Sequence, residues 1–185
     1  AINAAYHAWL FLVFFVVIAA GFSRGNPGAR NTFLVAFALT WAVGGNYLAV
    51  LFSSAGPVYF DDLGFGKDFV PLMATLESFH DTSPVWALKV QDLLWQGYTE
   101  GGAISGISAF PSMHVASTTV IALYAFRLSC WAGFAATVFT AMIVIGSVHL
   151  AWHYAVDSYA GLLIAAICWK LAGWLVSRDP FQRDA

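Results

Sequence analysis

Long apolar runs alternate with short polar breaks along this chain. Residues 4–22 are apolar apart from Tyr6 and His7, and residues 33–52 form a second run of twenty. Twenty residues at a helical rise of about 1.5 Å cross a hydrocarbon core of roughly 30 Å, so each run predicts a transmembrane helix. Turn-forming residues at 23–31 separate the two, and Ser53-Ser54-Ala55-Gly56-Pro57 ends the second. Three further runs follow, at 111–128, 131–150 and 155–176. The fourth carries no charge, and the fifth holds Asp157 near its start and Lys170 near its end, where a lysine snorkels to the interface.

The segment 54–110 has a different pattern. It contains seven acidic residues against Lys67 and Lys89. Phe69, Leu72, Met73, Leu76 and Phe79 repeat at helical spacing. Ser83-Pro84 reads as the cap and first turn of a second short helix reaching about Tyr98. Both predict helices lying on the membrane surface. Residues 101–106 read as a flexible linker.

The fold class is therefore all-α: a polytopic membrane helix bundle in one integral membrane domain, 1–185, with short interfacial helices in the 54–110 loop. Composition agrees. Of 185 residues 60% are hydrophobic and 10% charged, where a soluble domain carries about 25%. No basic cluster points to nucleic acid. Cys130 and Cys168 sit in apolar runs without a metal or redox spacing and read as small buried residues.

Charge orients the bundle. Arg24, Arg30, Arg127, Lys170, Arg178 and Arg183 fall on one side, six of the eight basic residues, which makes that side cytoplasmic. The acidic loop and the histidines 114, 149 and 153 fall on the other, facing periplasm, exterior or lumen. Ala1 is then outside as well, so five spans of an expected six are present, with one more upstream.

Ionisable groups at membrane depth are costly, which makes them functional candidates. Phe110-Pro111-Ser112-Met113-His114 opens the third span. A proline at the first turn, free amides and Ser112 favour an anion there, and His114 adds a titratable group. His149, His153 and Asp157 follow at steps of four. On a helix His153 and Asp157 share a face, where a carboxylate fixes the imidazole tautomer as in catalytic triads. Two histidines facing one anion suggest phosphoryl transfer. A metal or haem site built on the same residues, and a proton relay, are the readings of other classes. His7 and His80 read as interfacial polar residues, and Asn46 as an interhelical hydrogen-bonding group.

Pro111-Ser112-Met113-His114 and His153-Tyr154-Ala155-Val156-Asp157 resemble the second and third motifs of the type-2 phosphatidic acid phosphatase superfamily. Phe-Pro-Ser-Met-His-Val-Ala and Gly56-Pro57-Val58-Tyr59 resemble its inositol phosphorylceramide synthase-like (inositolphosphotransferase) branch. The resemblance implies a six-helix bundle acting on a phospholipid or sphingolipid without metal or other cofactor. It implies a phosphohistidine on His153, Asp157 as its partner, and His114 as acid and then base. The superfamily's first motif, a lysine followed by Arg-Pro, is missing, and Ser147 stands where the third motif usually has arginine. Lys89, Lys67, His149 and the amides after Pro111 are left as candidates to bind phosphate, with Ser112, Ser147, Tyr59 and Asp61 beside them. The carboxylates of Asp61 and Asp62 can accept hydroxyls from a polyol headgroup. The acceptor, water for a phosphatase or an alcohol for a transferase, stays open.

Overall fold

The computed structural model describes residues 2–101 and 107–178; the linker at 102–106, Ala1 and Arg183 lie outside them. The described residues form helices, turns and coil with no strand. Seven α-helices follow one another: α1 (Ile2–Phe22), α2 (Pro27–Leu51), α3 (Val70–His80), α4 (Trp86–Glu100), α5 (Met113–Leu128), α6 (Cys130–His149) and α7 (Ala155–Ser177). Helices α1, α2, α6 and α7 are long and apolar enough to cross a membrane.

Helix α5 is shorter, at 16 residues, and packs against α1, α2, α6 and α7. Its sequence explains the central place. Ala116, Ser117, Thr118 and Ala122 are small and buried, so neighbouring backbones approach closely, as expected where helices pack in lipid. Thr118 and Thr119 return their hydroxyls to carbonyls one turn back, so no donor is stranded. The outer helices instead expose large apolar side chains at helical spacing: Phe11, Phe14, Phe15 and Ile18 on α1, and Tyr159, Leu163, Ile167 and Leu171 on α7. Such continuous apolar surface is the face turned to lipid.

Helix α2 begins six residues earlier than its apolar run, because Asn26 caps it by accepting the Ala29 N–H at 3.0 Å and Pro27 fits the first turn. Residues Trp41–Leu48 widen into a π-helix. Asn46 does not bridge to another helix: its Nδ2 donates to the Trp41 carbonyl at 2.9 Å, within the widened turn. The bend brings Gly44 against α5, where an added Cβ would lie 3.0 Å from Met113 Sδ.

The two loop helices form as read, with one shift. Helix α4 starts at Trp86 and not at Ser83-Pro84, because His80 Nδ1 accepts the Val85 N–H at 3.0 Å and the Pro84 carbonyl accepts Asn3 Nδ2 at 2.8 Å. Cys168 is buried, but Cys130, at the first turn of α6, is exposed.

Candidate active site

Three connecting segments converge at one end of the bundle: 54–59, 107–112 and 150–157. Backbone bonds tie them. The Ala109 N–H donates to the Ser54 carbonyl at 2.7 Å, Val58 N–H to Ala151 at 3.0 Å, and Ser112 N–H to Asp157 at 3.0 Å. Gly56 is required by space: a Cβ there would lie 2.1 Å from the Trp152 carbonyl oxygen. Ala151 is buried in the left-handed region at φ 59°, a conformation costing a non-glycine residue about 1–2 kcal/mol. That turn reverses the chain between α6 and α7 and presents His153.

His153 is buried, and its Nδ1 lies 2.7 Å from the Ala109 carbonyl oxygen. A carbonyl only accepts, so Nδ1 is the donor, and in the neutral ring Nε2 keeps its lone pair. Asp157 Oδ2 is 3.7 Å from the same Nδ1, past hydrogen-bonding range. Its nearer partner is the Tyr154 N–H at 2.8 Å, which it caps at the start of α7. The sequence reading of a shared helical face is thus corrected: His153 precedes the helix, and a backbone carbonyl, not Asp157, sets its tautomer.

His114, in the first turn of α5, lies between two rings of α1. Tyr6 stacks on it at 4.3 Å between centroids, and Trp9 lies at 4.0 Å. Trp9 is fixed by its indole N–H, which donates to Ser117 Oγ at 2.8 Å. The His114 and His153 rings are 5.9 Å apart and both line one cavity of about 270 Å³. Trp41, Trp152 and Tyr59 line it too. The indole N–H groups of Trp41 and Trp152 are buried without a protein acceptor. A larger apolar cleft of about 530 Å³, walled by Phe60, Phe65, Trp95 and Tyr98, shares Gly56 and Ile107 with this cavity.

The other predicted residues are placed differently. Pro111 precedes α5 instead of opening it, and Ser112 is wholly buried with its hydroxyl unpartnered and its amide already given to Asp157. Tyr59 lines the cavity but donates its hydroxyl to the Gln91 carbonyl at 3.0 Å. Ser147 turns its hydroxyl back to the Ile143 carbonyl at 2.9 Å, while its own carbonyl accepts the His153 N–H. His149 ends α6, is exposed, and lines another cavity beside Leu76 and Pro84, because the turn at 150–154 breaks the register of four. Lys89 and Lys67 are exposed and line none of the described cavities, and Asp61 lines a separate acidic pocket. Among its described lining residues the histidine cavity has no lysine or arginine.

Sequence reasoning did not find the Ala109 carbonyl, which has no side-chain signature. Tyr6 and Trp9 were findable: with Val13 they form an i, i+3, i+7 stripe on α1 and are the buried face of that helix. Chemically, one imidazole that donates through Nδ1 shares with a second a cavity sized for a small polar group, and the set suits nucleophilic attack paired with acid–base transfer.

Comparison with known proteins gives two matches. The family model described as the PAP2 superfamily matches residues 1–171. A PA-phosphatase related-family protein of Dictyostelium discoideum is 29% identical over 80 residues, which are 43% of this chain and 14% of that protein. No solved structure matches.

Proposed function

Because the chain belongs to the PAP2 superfamily, whose members act as phosphatases or phosphotransferases on lipid phosphates, we propose that it is a membrane lipid phosphotransferase working through a phosphohistidine. In this reading His153 Nε2 attacks phosphorus. The N–P bond forms as the P–O bond to the leaving alcohol breaks, and His114 gives that oxygen its proton. An entering alcohol then loses its proton to His114, its oxygen bonds phosphorus, and the N–P bond breaks. Asp157 steadies the positive charge on His153 at 3.7 Å.

The observation that carries this reading is the bond from His153 Nδ1 to the Ala109 carbonyl, which makes Nε2 the nucleophilic nitrogen of the neutral ring, with the His114 ring 5.9 Å away. The cavity volume suits a headgroup, and the adjoining apolar cleft suits an acyl chain. With no lysine or arginine among the described lining residues, phosphate oxygens would take the indole N–H groups of Trp41 and Trp152. The motif resemblance to the inositol phosphorylceramide synthase-like branch supports an alcohol over water as acceptor. We assign the site to the extracytoplasmic face and treat the chain as one integral membrane domain. Arg24 and Arg30 flank the other ends of α1 and α2, and Arg127 and Arg178 close α5 and α7 at their far ends from His114 and His153.

The test is the fate of labelled phosphate. Purified protein in detergent is given phospholipid labelled in its headgroup phosphate and quenched rapidly. Acid-labile, base-stable label on the wild type and none on His153→Ala is the expected result. Its discharge by an added alcohol separates a transferase from a phosphatase, which discharges to water alone. Turnover persisting in His153→Ala removes the mechanism.

A further inference from the structure

A second pocket, of about 320 Å³, shares Tyr59 with the histidine cavity as a lining residue. Four acidic residues line it, Asp61, Asp62, Glu77 and Asp92, and no basic residue is among its described lining residues. They come from the 57–62 turn, α3 and α4, so three elements aim the same charge at one space. Acidic side chains alone on an exposed loop are usually just solvated. Here a second feature marks the pocket. Gln91 lines it and is 2% exposed, its Nε2 is committed to the Leu150 carbonyl at 2.8 Å, and its Oε1 is left buried with no donor. A buried acceptor without a partner is costly, and a ligand that donates there removes the cost.

Every uncommitted polar group just named is an acceptor, so the ligand is a donor. The carboxylates do not gather into a metal-ligating cluster among the described residues, and the space between them has room for a larger organic group. The Tyr59 and Trp95 rings, stacked at 5.2 Å, form an aromatic wall, and such a wall beside negative charge suits an ammonium better than an uncharged polyol. The Tyr59 phenol reports the same field: burial and then the charges of Asp92 and Asp62 push its ionisation upward.

We propose that this pocket binds the ammonium group of an aminoalcohol headgroup while the phosphate occupies the histidine cavity that shares Tyr59, making a zwitterionic phospholipid the lipid substrate. The phosphate half of the assignment rests on the proposed function; the ammonium half does not.

Binding of free ethanolamine to full-length protein in detergent, followed by saturation-transfer NMR, tests the pocket without turnover. Ethanolamine is expected to bind the wild type and to bind at least about tenfold more weakly to Asp62→Asn/Asp92→Asn. Glu77→Gln, on another helix, is expected to weaken it in the same direction. His153→Ala is expected to bind ethanolamine like the wild type. Inositol binding that survives in the asparagine variant would overturn the ammonium in favour of a polyol. No binding of ethanolamine, or equal binding by all variants, overturns the pocket. Turnover of phospholipid with no ethanolamine binding leaves the phosphohistidine reading standing alone, and ethanolamine binding with no phosphohistidine label leaves the pocket standing alone.

Discussion

His153 takes its orientation from Ala109: the Nδ1 proton goes to a backbone carbonyl 2.7 Å away, while the Asp157 carboxylate stands off at 3.7 Å and caps α7. In a serine-protease triad, replacing the carboxylate by an amide costs about 10⁴ in rate because it selects the wrong tautomer. Here the carbonyl holds the tautomer whatever residue 157 is. Asp157→Asn, which can still accept the Tyr154 N–H, is therefore expected to lose no more than about a hundredfold in kcat. Rate measurements on a soluble short-chain phospholipid check this. A loss near 10⁴ would give the tautomer back to Asp157.

Trp9 holds the wall behind His114 and closes a buried hydrogen bond to Ser117. Trp9→Phe keeps most of the ring and strands a hydroxyl that has other acceptors, so about 1 kcal/mol of stability should go. Trp9→Ala opens a cavity and should cost about 3–5 kcal/mol, with activity falling as His114 loses its stacked position. Thermal unfolding in detergent, read beside turnover, separates the two effects.

Gly161 lets α7 lie directly on the start of α5. A Cβ there would sit 2.6 Å from the Ser112 carbonyl oxygen and 3.3 Å from the Ala116 nitrogen, and neither backbone atom has room to yield. Gly161→Ala is expected to destabilise by about 1–3 kcal/mol and to reduce turnover, because separating the helices moves His114 away from His153. Full activity with wild-type melting would show that the two helices slide freely.

Phosphate binding by neutral donors predicts a contrast between two substitutions. Trp152→Phe keeps the ring and removes a buried N–H, so KM should rise by roughly five- to tenfold. Lys89→Ala removes a charge from an exposed position that lines no described cavity, and KM should stay within about twofold. The reverse order would bring the α4 lysine back as the phosphate cation.

The one-dimensional pattern was enough for the helices and their solvent. Apolar runs of membrane length and the loss of charge from α6 are local properties, and lipid rewards them wherever they occur, whereas the Asn26-Pro27 cap that starts α2 six residues early reads in the sequence as loop. The pairing of His114 with His153 was also legible, since two costly groups opening two spans at one face have few partners but each other. Residue roles read from spacing fared less well. His149 shares the step of four with His153, yet the left-handed turn at Ala151 ends the helix between them and sends the two to different cavities. Ser147 and Tyr59 are close to the site, but their hydroxyls go to backbone carbonyls, since a buried donor takes the nearest acceptor.

What the sequence by itself determined, then, is the apolar helices, the end at which the ionisable groups collect, and the family. What only the tertiary structure decided is which atoms meet there. A backbone carbonyl brought 44 residues along the chain to a histidine carries no side-chain mark, and long-range contacts depend on how loops close and not on residue type. The same holds for the acidic pocket, where carboxylates spread over three elements become one site only once α3 and α4 fold against the 57–62 turn.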